Sequence, residues 1–136
     1  MMNSFKMRIA IVLLVASSCA VSQENSYRFT LDSVDAHIMM KLQTVAPVPC
    51  LGSTIRTETR QIGDTVVVIT SGFIRPTPCL DGVAPATARI SLGRQPKAVF
   101  VLSIREETAE DLWVVSRTSE GFSVTPVRHA FTTFSQ

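Results

Sequence analysis

Two histidines, three cysteines and one acidic run are the residues here whose types could do chemistry. His37 and His129 are the only imidazoles, so general-base catalysis on a serine would have to use one of them with an orienting acid. Serines are plentiful, but no G-x-S-x-G elbow presents one as a nucleophile. Each histidine therefore reads as a strand or tail residue with a hydrogen-bond partner. Asp32 and Asp35 could form a carboxylate pair, as could any acids at a strand end. Glu106, Glu107, Glu110 and Asp111 offer oxygen ligands that would hold Ca²⁺ weakly, although such a run is more often a solvated hairpin end. The histidines lack zinc-ligand spacing, and no C-x-x-C, EF-hand, P-loop or dinucleotide fingerprint occurs. The expectation is a protein with no catalytic, metal or cofactor site.

The cysteines carry the clearest signal. Cys50 and Cys79 sit in similar settings, Pro47-Val48-Pro49-Cys50-Leu51-Gly52 and Pro76-Thr77-Pro78-Cys79-Leu80-Asp81-Gly82. Each Pro-x-Pro should stiffen the approach to its cysteine in a polyproline-like conformation. With Cys19 set aside, two cysteines remain, the even number expected in an oxidising compartment. A structural Cys50–Cys79 disulfide is predicted. Closing a loop of this length is worth about 3.5 kcal/mol on chain-entropy grounds.

Cys19 is set aside because it follows an address. Lys6 and Arg8 precede the apolar run IAIVLLVA, residues 9–16, and small residues follow it. The run is too short to span a membrane, which takes roughly 20 apolar residues. Basic, apolar and small, in that order, is the pattern of a secretory signal peptide, residues 1–22, cut near Ala20-Val21-Ser22 or Ser18-Cys19-Ala20. Ala16-Ser17-Ser18-Cys19 also resembles a loose bacterial lipobox, departing from it at Ala16. On that reading the leader is residues 1–18 and Cys19 carries lipid, the chain's only link to a membrane. The destination is the periplasm, the exterior or an outer-membrane anchor. Lys6 and Arg8 also account for the net charge of +2, leaving 11 basic against 11 acidic residues from Ala20 onward. A neutral chain argues against binding nucleic acid by charge.

Positioning these residues falls to one domain, residues 23–136, read almost entirely as strands. Tyr27, Phe29 and Leu31 alternate with polar residues, the period of a half-buried strand. Residues 33–45 fit a strand through Ile38, Met40 and Leu42, but also a helix through Val34, Ile38 and Leu42; strand is chosen. Ile55, Thr57 and Thr59, the Gly63-Asp64 turn and the β-branched residues 65–70 form the clearest hairpin. Arg56, Glu58 and Arg60 should line an exposed face with weak ion pairs. The alternating residues 86–92, the doubly apolar central strand 98–104 and strands 112–117 and 122–127 follow. Residues 129–134 form a last strand or a tail. About seven to nine strands suggest an antiparallel β-sandwich. With strands alternating in direction, both Pro-rich loops fall at one pole.

The pieces Pro47-Val48-Pro49-Cys50, residues 64–70, Cys79, residues 86–93 and residues 98–104 resemble small bacterial secreted domains of the immunoglobulin-like β-sandwich type. The match departs at Arg94-Gln95-Pro96-Lys97 and in the strands after Asp111. The resemblance implies an immunoglobulin-like sandwich and adhesive or accessory roles, with no reaction attached.

Three function classes follow. The first is a monomeric, non-catalytic binding or accessory module of the cell envelope or exterior, recognising a protein through Leu51, Arg75, Leu80 and Asp81 at the disulfide-bearing pole. The second is a proteinase inhibitor using the braced loop from Arg75 to Leu80, although Pro76 would make the Arg75 bond a poor one to cleave. The third is a small hydrolase, for which no constellation exists. A purely structural envelope protein is the plain alternative to the first.

Overall fold

The computed structural model describes residues 26–136; the leader and Cys19 lie outside the described residues. Eleven strands follow in chain order: β1 (Tyr27–Val34), β2 (His37–Thr44), β3 (Val48–Leu51), β4 (Thr54–Ile62), β5 (Thr65–Ile74), β6 (Leu80–Ala84), β7 (Thr87–Gly93), β8 (Val99–Glu106), β9 (Ala109–Thr118), β10 (Gly121–Arg128) and β11 (Thr132–Phe134). The all-β expectation holds, and among the described residues there is no helix. The strand count exceeds the expected range because both Pro-rich segments contain a short strand, β3 and β6. The boundary between the first two strands also lies later than expected: Asp35 and Ala36, at φ 51° and 66°, make a two-residue turn between β1 and β2. Paired positive φ values suit the right-handed twist of a tight hairpin.

Nine strands form one mixed sheet in the order β10-β9-β8-β5-β4-β7-β2-β1-β11, while β3 and β6 pair separately. Three joins are parallel, β1–β11, β4–β7 and β5–β8, so the purely antiparallel expectation is corrected. The β4–β7 join is a single register pair, Thr54↔Thr87. It divides the sheet into two halves, and β1 and β11 fold over to face β8 and β9. Phe29 of β1 packs edge-on to Trp113 of β9 with ring centroids 5.2 Å apart. The Tyr27 hydroxyl donates to Glu106 Oε1 of β8 at 2.8 Å.

The core is the set of inward alternate positions that the sequence pattern marks. Tyr27 and Phe29, then Ile38, Met40 and Leu42, come from one half, with Ile90 and Leu92; Val66 and Val68, Phe100, Leu102 and Ile104, and Trp113 and Val115 come from the other. Strand β8 lies between β5 and β9, the central position expected for a doubly apolar run. β4 departs from its pattern: Ile55 is buried, Thr57 half-buried and Thr59 exposed. The strand runs out of the core because its partner on that side is lost after Thr54. Arg56, Glu58 and Arg60 stand exposed along it, with Arg60 paired to Glu58 at 3.0 Å. Charges on an open strand edge oppose sheet-to-sheet aggregation.

Candidate functional site

The disulfide between Cys50 and Cys79 is present, with Cα atoms 5.1 Å apart. It ties β3 to β6, which pair antiparallel through Val48↔Ala84, Pro49↔Val83 and Leu51↔Leu80. The register shifts between Pro49 and Leu51, and Cys50 there takes a φ of 71°. A left-handed φ is costly for a residue with a Cβ and persists only where neighbours impose it. Here the buried Ser53 hydroxyl donates to the carbonyls of both Pro49 and Cys50, at 3.1 and 3.0 Å, while the disulfide holds the side chain. The approaches to the cysteines are therefore not uniformly polyproline-like: one ends in this bulge, and the other contains a cis Thr77–Pro78 peptide.

Strand directions put this ribbon at one pole, with the ends of β2 and β5 and the start of β4. Of the predicted contact residues, Leu51, Arg75, Leu80 and Asp81 are all exposed there, and Leu51 and Leu80 are register partners. Leu51 also leans over Gly82, whose φ is 138°; a Cβ at Gly82 would stand 2.9 Å from Leu51 Cδ2. Gly82 is thus required by both its backbone conformation and this contact. Sequence reasoning overlooked the apolar company around the four. Phe73, Ile74 and Val83 are 36%, 48% and 67% exposed, beside Leu51 at 38% and Leu80 at 56%. The signal was available in Phe73-Ile74 and Val83, apolar residues inside a segment read as loop.

The acidic run does not behave as a unit. Only Glu107 is fully in the turn, at φ 51° and exposed. Asp111, expected at a solvated hairpin end, is instead 1% exposed. Its carboxylate accepts from the backbone N–H groups of Ala130, Phe131 and Thr132 at 2.8, 3.1 and 2.8 Å, and from the Thr132 hydroxyl at 2.6 Å. Trp113 Nε1 donates to that same hydroxyl oxygen at 2.9 Å. Asp111 is therefore a clamp on the segment entering β11. Among the described residues no group of three or more metal-ligating side chains converges. Asp32 accepts from the backbone N–H of Ser33, and Asp35 lies in the β1–β2 turn, so no acid pair forms. His129 stacks at a tilt on Trp113 with centroids 5.1 Å apart, and His37 opens β2 in an exposed position.

Glu106 and Glu110 titrate in opposite senses. Burial holds the Glu106 carboxyl above the usual range, with Glu107 adding to the effect and the Tyr27 hydrogen bond opposing it. The Tyr27 phenol is raised by its own burial and by Glu106. Hydrogen bonds from Arg105 and Ser103, with Arg128, hold Glu110 below the usual range. A raised carboxyl costs stability once the pH exceeds its unfolded value; a depressed one contributes stability there and loses it as pH falls through the folded value. Thermal melts of Glu106→Gln and Glu110→Gln at neutral and acid pH should therefore diverge. At neutral pH the first variant is as stable as the parent or more so, and the second is less stable. Both differences shrink on acidification. The same sign for the two variants at neutral pH would contradict this assignment.

No family model, curated protein or solved structure matches the chain. The functional reading therefore rests on the chain's own geometry.

Proposed function

We propose that this protein is an exported binding module that works without turnover and recognises a protein of the cell envelope or exterior through its disulfide-braced pole. The observation that carries this reading is the exposed apolar group Leu51, Ile74, Leu80 and Val83 on and beside the β3–β6 ribbon. Exposed apolar side chains on the ribbon and at the end of β5, in the same pole as Arg75 and Asp81, fit the composition of a recognition surface. The disulfide reduces the entropy the ribbon would lose on docking. It also suggests an oxidising, exported compartment. Among the described residues no helix is long and apolar enough to cross a membrane. The fold beneath the patch is read as an immunoglobulin-like sandwich, supported by its two facing halves.

The test is a pull-down of envelope proteins, followed by affinity measurement on the identified partner with Leu51, Arg75 and Leu80 all changed to Ala. A loss of about tenfold or more is expected, since truncating central contacts commonly costs over 1 kcal/mol each. Unchanged affinity would make the pole structural only and move the binding surface to a sheet face or edge.

A further inference from the structure

One outer sheet face carries positive charge that the fold leaves unmatched. In β1 and β2 the core takes Tyr27, Phe29, Ile38, Met40 and Leu42, so Arg28, Thr30, Asp32, Met39, Lys41 and Gln43 face outward. In β7 Ile90 is buried and its neighbour Arg89 stands exposed. The register then fixes the contacts across strands. Lys41 lies opposite Thr30 on one side and Arg89 on the other. Arg28 lies opposite Gln43 and diagonal to Lys41. Three adjacent strands thus gather Arg28, Lys41 and Arg89, all exposed, and none forms an ion pair among the described residues.

This arrangement costs stability, because like charges directly opposite in a ladder repel, as Lys41 and Arg89 do. The chain does not lack acids to relieve it, with 11 against 11 basic residues from Ala20 onward. Those acids are placed elsewhere: Glu58 meets Arg60, Asp64 meets Lys97, and Glu110 meets Arg105 and Arg128. Asp32 is the one acid on this face, and its carboxylate accepts from the Ser33 backbone N–H. With Thr30, Met39, Lys41 and Arg89 it borders a depression of about 270 Å³.

We propose that this face binds a linear acidic polysaccharide, a chain of uronate sugars laid across β1, β2 and β7. Charge complementarity carries the assignment, since carboxylates along such a chain would meet Arg28, Lys41 and Arg89 in charge-assisted hydrogen bonds. Adjacent strands lie about 4.8 Å apart, close to the rise of one sugar in an extended glycan, so successive strands offer a cation to successive sugars. Thr30, Gln43 and Thr87 lie among the cations and bring hydroxyl and amide groups for the sugar hydroxyls. Other polyanions fit this face less well. No Phe, Tyr or Trp stands on it to stack a nucleic-acid base. Val34, at its far end, is its only large exposed hydrophobic, too little to enter a lipid surface. Asp32 repels carboxylates and so sets the end at which the sugar chain leaves the face. The surface is separate from the disulfide-braced pole and does not depend on it.

The probe is hexagalacturonate, with its full methyl ester as the uncharged counterpart, titrated at low salt by calorimetry and by ¹H–¹⁵N NMR. Hexagalacturonate should shift the amides of Arg28, Thr30, Lys41 and Arg89, and the ester should bind about tenfold more weakly or worse. Lys41→Gln with Arg89→Gln should weaken hexagalacturonate about tenfold. That variant should melt no lower than the parent, because it removes opposed like charges. Asp32→Asn should tighten binding about threefold. Arg60→Gln with Lys97→Gln removes the same charge from other exposed positions and should leave the affinity unchanged. Equal binding of the ester, undiminished binding to the Lys41–Arg89 variant, or an equal loss in the Arg60–Lys97 variant would overturn the proposal. So would the absence of shifts on this face at millimolar hexagalacturonate. Tighter binding of phosphatidylglycerol vesicles or of oligo-deoxythymidylate through Lys41 and Arg89 would overturn it too, by assigning the face to a membrane or to nucleic acid.

Discussion

Replacing Asp111 by Ala should destabilise the protein by about 4 kcal/mol, the largest effect expected of any single substitution in this fold. The carboxylate satisfies three backbone N–H groups and one hydroxyl in a site closed to solvent. Hydrogen bonds to an ionised acceptor are stronger than neutral ones, and removing the acceptor leaves the buried donors without partners. The consequence extends beyond the site. Those donors belong to residues 130–132, which lead into β11, and β11 completes the half of the sheet that faces Trp113. Thr132 also loses the partner that orients its hydroxyl oxygen toward Trp113 Nε1. Asp111→Asn keeps one acceptor oxygen and should cost roughly half as much. Urea unfolding followed by Trp113 fluorescence measures both. A cost under about 1 kcal/mol for the Ala variant would mean that water replaces the carboxylate.

Loss of the Cys50–Cys79 bond should cost about 3.5 kcal/mol, or roughly 10–15 °C in Tm for a domain of this size. Cys50→Ala, Cys79→Ala and the double variant should fall together, because one bond is at stake. A second effect follows from the bulge. The left-handed conformation at Cys50 is held by the disulfide and by Ser53. Once the bond is gone, only the Ser53 hydroxyl constrains it. Ser53→Ala should therefore cost more in the cysteine-free background than in the parent. Differential scanning calorimetry of the four combinations would measure the coupling; strict additivity would mean that the ribbon keeps its bulge without the bond.

The two predictions also divide what a linear reading can reach. By itself the sequence determined the all-β class, the disulfide and most of the core. Tyr27, Phe29, Ile38, Met40, Leu42, Ile90 and Leu92 lie at alternate positions, and a strand converts that spacing directly into a buried face. The cysteines were legible for the same local reason: matching Pro-rich flanks and opposed strand directions bring them to one pole. Residues 33–45 were readable as extended but not as containing a turn, because Asp35-Ala36 lacks the glycine that usually announces one.

Only the tertiary structure decided the rest. Strand β11 pairs parallel to β1 across more than 100 residues, and β8 inserts beside β5 in parallel. Neither choice leaves a mark in local periodicity, since alternation fixes which face is buried and says nothing of which neighbour lies alongside. The role of Asp111 depends on that closure. In the sequence it is one acid of a run; in the fold it alone of the four is fully buried, and the returning chain supplies its donors. The open stretch of β1 depends on closure as well, because β11 ends at the Phe29↔Phe134 pair and, among the described residues, nothing continues the ladder on that side. Pattern along a chain encodes faces, whereas edges are created by the order in which strands meet.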